Sequence, residues 1–311
     1  MKLEEAVEEF LLSCCADGLS PRTVEWHRSH LKRLVSYLDK DVAAVSAHDI
    51  RDFVAHLRNR SWRYVGHPTH PPVEGGLSIA TIHGCIRSLK RFFSWLEKEG
   101  IIFDNPTARL RLPKLPDRVP KGIAPSDFRK LLASCNGSET RELRDRAILL
   151  FLADTGCRAG EVCSLKVRDL NLDEGIAIVK GKGRKERMVA MSQRTCEALK
   201  AYLKVRPEGK GEEVFIGQRG PLTVSGLGQV MRRLKKKAGV SGPCNPHSFR
   251  HSFAREWLMS GGDMASLSEL LGHADIETTK MYSVFRMRDL KAKHNRHSPV
   301  SHMLEEEEES G

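Results

Sequence analysis

The second half of the chain carries six residues suited to handling a phosphate: Arg158 in TGCRAGEVCSL, Lys182 in GKGRKER, His247 and Arg250 in HSFRH, His273 in LLGH, and Tyr282 in TTKMYS. In HSFRH the histidine and arginine stand at i and i+3, so one helical face aims both at a single anion, and the helix N-terminus adds its positive end. Arg158 follows a segment ending in Thr155-Gly156 and is therefore held at a turn. A guanidinium there can grip two phosphate oxygens at once, which lysine cannot imitate. Lys182 lies between Gly181 and Gly183, where a backbone without side chains approaches a duplex closely. Together these groups suit a phosphoryl-transfer clamp. Singly they have plainer readings: Arg158 as a helix-end cation, Lys182 as a turn lysine, His273 as a core or C-cap histidine, Tyr282 as a core aromatic. His251 reads as packing, and Arg184, Lys185 and Arg187 read as surface charges that touch phosphates at most.

Taken in order, TGCRAGEVCSL, GKGRKER, HSFRHSFA, LLGH and TTKMY resemble the catalytic boxes of the tyrosine recombinase, or phage integrase, family, including its Xer-type members. The resemblance runs from about Lys121 to Arg288, and the Ser-Pro-Arg-Thr opening of the first domain is similar to the family's core-binding domain. It implies two domains that close on double-stranded DNA like a clamp, with four protomers assembled on two sites. It also implies transesterification: Tyr282 attacks the scissile phosphate, a 3′-phosphotyrosyl bond forms, a 5′-hydroxyl leaves, and a hydroxyl then attacks to reseal. No ATP, metal or other cofactor is implied.

A free tyrosine has a pKa of about 10, so about one in a thousand is ionised at neutral pH. On the resemblance, His247 assists that deprotonation, Arg158 and Arg250 hold the non-bridging oxygens, His273 donates a further hydrogen bond, and Lys182 protonates the departing oxygen. Glu161 reads as a residue that orients a basic partner. Two other readings use the same residues: a type IB topoisomerase acting on one duplex, and a catalytically idle DNA-binding relative.

The elements that position these residues are expected to be mostly helical, with one small antiparallel sheet. Ser20-Pro21 reads as a helix start, followed by Trp26, His30, Leu31, Leu34, Tyr37 and Leu38 at helical spacing. Further helices are expected over 48–58 and 78–100, the latter with Arg87, Lys90 and Arg91 on its polar sides. Residues 60–76, rich in proline and glycine, read as a loop. Residues 144–155, 193–203, 223–238, 247–259 and 263–271 read as helices, and 175–180 with 187–191 as strands joined by GKGRKE. The division expected is a helical DNA-clamping domain over 1–105, a Pro-rich linker over 106–120, a catalytic domain over 121–290 and a tail over 291–311. The tail reads either as a dock for a neighbouring protomer or as disordered.

Composition narrows the partners. The formal net charge is +11 and the pI near 9.3, a balance that favours a polyanion through counterion release. Glu305 to Glu309 make the remainder more basic still. Eight cysteines form no paired CxxC pattern and no cysteine–histidine zinc spacing, so they read as free thiols. No apolar run nears the ~20 residues of a membrane span. The opening, with four glutamates before Phe10, has no secretory h-region, and the expected location is cytoplasmic.

Overall fold

The computed structural model describes residues 1–63, 71–116, 121–181 and 186–272. The chain divides into two compact units, Met1–Asp117 and Arg118–Gly311. Among the described residues no helix is long and apolar enough to cross a membrane.

Among the described residues the first unit holds four α-helices: α1 (Leu3–Ala16), α2 (Pro21–Val35), α3 (Ala47–Asn59) and α4 (Ile79–Lys98). Their starts are set by side-chain caps. Ser20, Ser46 and Ser78 each accept a hydrogen bond from the backbone N–H three residues on, satisfying a donor that the first helical turn leaves without a partner. In α4, Ile82, Cys85, Ile86, Leu89, Phe92, Phe93 and Leu96 recur at helical spacing and are all buried. Cys85, Leu89, Phe92, Phe93 and Leu96 meet Phe10, Leu31, Leu34 and Phe53 in a common core, and Ile82 and Ile86 pack with Val54.

Helix α2 turns differently from the expected stripe. Its buried face is Val24, His27, His30, Leu31 and Leu34, whereas Trp26 is partly exposed and Tyr37 lies beyond the helix end. His27 can face inward because its Nδ1 meets the Ser88 hydroxyl at 2.8 Å, which satisfies a buried polar atom. Residues 60–76, expected as a loop, contain one short antiparallel pairing, β1 (Trp62–Arg63) with β2 (Val73–Glu74). Lys90, expected on an open basic face, instead donates to the carbonyls of Thr107 and Leu110 at 2.9 and 3.1 Å. Arg87 and Arg91 remain exposed.

The second unit contains α5 (Pro125–Ala133), α6 (Thr140–Thr155), α7 (Ala159–Ser164), a sheet of β3 (Leu170–Asn171), β4 (Ile176–Lys180) and β5 (Glu186–Ala190), then α8 (Gln193–Lys204), α9 (Val224–Lys237), α10 (Pro246–Met259) and α11 (Met264–Leu271). The strand order is β3-β4-β5, antiparallel throughout, with Val179 opposite Arg187 and Lys180 opposite Glu186. Helix α6 is the central strut. Ala147, Ile148, Leu149, Phe151 and Leu152 leave little polar face in its second half, and it packs against α8 on one side and α10 on another. Two helices end on left-handed glycines that matter for the site, α6 at Gly156 (φ 59°) and α11 at Gly272 (φ 62°), a conformation that side chains with a Cβ resist. A Cβ on Gly156 would also lie 2.7 Å from the Phe253 ring.

Candidate active site

The end of α6, the start of α7 and the end of α11 bring two of the expected arginines to one point. Arg158 is the residue before α7, and its Nη1 donates to the Leu271 carbonyl at 3.4 Å. Arg250, in the second turn of α10, donates from Nη2 to the same carbonyl at 2.7 Å and from Nη1 to the Gly156 carbonyl at 2.9 Å. These carbonyls close α6 and α11, so the buried Arg250 guanidinium rests on the negative ends of two helices. Both of these acceptors are neutral carbonyls.

A buried carboxylate organises the other side. Glu161 is 3% exposed and receives four hydrogen bonds: from Arg158 N–H at 2.8 Å, Arg158 Nη1 at 3.0 Å, and Arg187 Nη1 and Nη2 at 2.7 and 2.9 Å. Burial alone would raise its pKa; the Arg187 hydrogen bonds, then the Arg158 backbone N–H, outweigh that and hold it below the usual carboxylate range. Glu161 is therefore ionised at neutral pH, and it orients two guanidiniums. Arg187 had read as a surface charge. Its side chain is only 12% exposed, and it also donates from Nε to the Leu270 carbonyl at 2.9 Å. One signal for this was present in the sequence: on a strand, Arg187 shares a face with the buried Val189.

His247 stands exposed in the first turn of α10, one turn before Arg250. The helix is started by Asn245, whose side chain accepts from the Ser248 N–H at 3.1 Å, and by Pro246 in the first turn. The histidine thus sits where the helix presents its positive end. His251 is half-buried; burial, then the nearby His247 and Arg250, push its pKa down. It stays neutral at pH 7. Cys157, between the Gly156 cap and Arg158, is buried, and that burial pushes its thiol up to about 12, so it is no nucleophile. Lys182, His273 and Tyr282 lie outside the described residues. The geometry therefore joins Arg158 and Arg250 through the Leu271 carbonyl, adds Glu161 and Arg187, and places His247 a turn away. Among the described residues no group of three or more His, Cys, Asp or Glu side chains could hold a metal ion. The cluster offers converging cationic donors to an anion.

The sequence pattern of the phage integrase family matches residues 121–288, and that of the phage integrase N-terminal SAM-like domain matches residues 7–102. The tyrosine recombinase XerD of Listeria monocytogenes serotype 4b is 33% identical over 294 residues, spanning 90% of this chain and 94% of that protein. The tyrosine recombinase XerC of Bacillus subtilis is 33% identical over 234 residues, 73% of this chain and 77% of its own length. Among solved structures, that of the XerA recombinase aligns over 96% of this chain and 99% of its own at 28% identity and a TM-score of 0.53. XerH bound to a palindromic difH substrate in a post-cleavage complex aligns over 92% of this chain and 82% of its own, with 21% identity and a TM-score of 0.69, a likeness of fold. Both domains are thus accounted for by one family's patterns, and relatives a third identical run along most of the chain: it belongs to the phage integrase family, the tyrosine recombinases.

Proposed function

We propose that this chain is a site-specific DNA recombinase that cuts and rejoins strands through a phosphotyrosyl intermediate at Tyr282. The observation that carries the reading is the meeting of Arg158 and Arg250 on the Leu271 carbonyl, two residues before His273 in sequence. A scissile phosphate placed there would receive both guanidiniums on its non-bridging oxygens, with His273 as a further donor. The Tyr282 phenol gives its proton up with the help of His247 and its oxygen bonds to phosphorus. The bond from phosphorus to the 5′ oxygen breaks, and Lys182 supplies the proton that makes the leaving group a hydroxyl. Rejoining runs the same steps in reverse with either 5′-hydroxyl.

In this reading the helical residues 1–105 and the catalytic residues 121–290 grip double-stranded DNA from their two domains, joined by residues 106–120. The net charge of +11 supports a phosphate-backbone partner. Solved relatives include a lambda integrase dimer bound to a COC' core site, which supports assembly of several protomers on DNA; we assign four protomers to two sites. The place of action is the cytoplasm. The relatives are recombinases, so single-duplex topoisomerase action is not favoured.

The test is capture of a covalent adduct from a library of randomised nicked duplexes, followed by mapping of the cleaved position. The wild-type chain should yield an adduct at one preferred sequence and Tyr282→Phe none. Arg158→Lys should cleave about 10² to 10³ times more slowly, the loss expected for one removed oxyanion donor. An adduct that survives Tyr282→Phe would refute the assignment.

A further inference from the structure

We propose that Arg187 is a positioning residue for strand cleavage: its guanidinium locks the strand after the Lys182 segment onto the two arginine-bearing turns, and so sets where Lys182 meets the departing oxygen. The inference rests on the recombinase reading above and deepens it.

Three segments meet on this side chain. Nη1 and Nη2 form a two-pronged pair with Glu161, which itself holds Arg158. Nε donates to the Leu270 carbonyl in the last turn of α11, next to the Leu271 carbonyl shared by Arg158 and Arg250. The stem lies so near Gly272 that a Cβ there would come 2.9 Å from Arg187 Cδ. Arg187 is also the second residue of β5, in register with Val179 of β4. In sequence Lys182 lies between Lys180, the last residue of β4, and Glu186, the first of β5. Whatever path residues 182–185 take, both of their anchors belong to a ladder that Arg187 ties to the arginine site.

The planar fork is essential to that tie. Two parallel N–H donors and Nε, pointing to a third partner, require a guanidinium; an ammonium keeps the charge but can hold only part of this geometry. A residue that only stabilised the domain would slow cleavage of every substrate alike. A residue that positions a proton donor should matter only where the leaving group needs a proton.

The experiment uses the full chain as wild type, Arg187→Lys, Lys182→Ala and the double variant, on the mapped duplex with either an ordinary phosphodiester or a sulfur in place of the bridging 5′ oxygen. With sulfur, the phosphorus–sulfur bond breaks and a thiolate leaves unprotonated, since thiols have a pKa of about 8.5. On the ordinary duplex Arg187→Lys should form adduct about 10²-fold more slowly, at a DNA affinity within about twofold of wild type. On the sulfur duplex it should recover to within about twofold of wild type, as Lys182→Ala does, and the double variant should be no slower than Lys182→Ala on the ordinary one. Equal slowing on both duplexes, a multiplicative loss in the double variant, or an unaltered rate for Arg187→Lys overturns the inference while the wild-type adduct upholds the recombinase reading. Absence of any wild-type adduct overturns that reading, and this inference with it.

Discussion

Glu161 shows how much one buried charge decides. It accepts four hydrogen bonds from two arginines, and a neutral amide can accept only some of them, leaving the largely buried Arg187 without its counter-charge. Glu161→Gln should therefore cost about 3 to 5 kcal/mol of stability, read from urea unfolding at pH 7. The acid side gives a second readout. A carboxyl whose folded pKa is depressed contributes stability above its unfolded value, near 4.3, and loses it as pH falls through the lower folded value. Wild type should lose part of its stability over that acid window and Glu161→Gln should lack that part; parallel curves would refute the assignment. The two arginines and His247 were legible in the sequence because motif spacing and helix periodicity fix them locally. Arg187 was marked only by sharing a strand face with Val189, since a charged residue beside GKGRKE looks solvated until α7 and the end of α11, distant in sequence, close over it.

Helix ends, more than helix interiors, set the site. Ser20-Pro21 and Gly156 could be read as boundaries because each satisfies or terminates a hydrogen-bond pattern locally. The short α5 and the two-residue strands β1, β2 and β3 lack enough periods to stand out, and Lys90 found its carbonyls only through the turn after α4. Among these ends Gly156 is the most constrained. Its φ of 59° disfavours any Cβ, and the rigid Phe253 ring stands 2.7 Å from where one would be. Gly156→Ala should cost about 2 to 4 kcal/mol, from the left-handed strain plus overpacking. Because the Gly156 carbonyl holds Arg250, cleavage by the folded fraction should fall as well. Thermal melts and single-turnover adduct formation would check both, and a loss of stability with an unchanged cleavage rate would show that the carbonyl does not place Arg250.

At the scale of the whole molecule, pH acts on the first unit, which has its own core and buries two histidines within it. His27 is pushed down to about 4 by burial and then by Arg91 and Arg87, and His30 to about 4 by burial and then by Arg33 and His27. Their folded pKa values lie below the unfolded value near 6.5, so between about pH 6.5 and 4 the unfolded chain binds more protons, and stability falls as pH falls through that window. The first unit should thus begin to open over that window. Three of the four tryptophans, Trp26, Trp62 and Trp95, lie in that unit, which lets fluorescence follow it. The double variant His27→Gln and His30→Gln, whose amides do not titrate, should start less stable at pH 7 because Gln fills neither site as the ring does, yet decline less steeply from pH 6.5 to 4. If the variant and the wild type lose stability in parallel over that range, the acid response belongs elsewhere in the molecule and not to the α2–α4 contact where His27 meets Ser88.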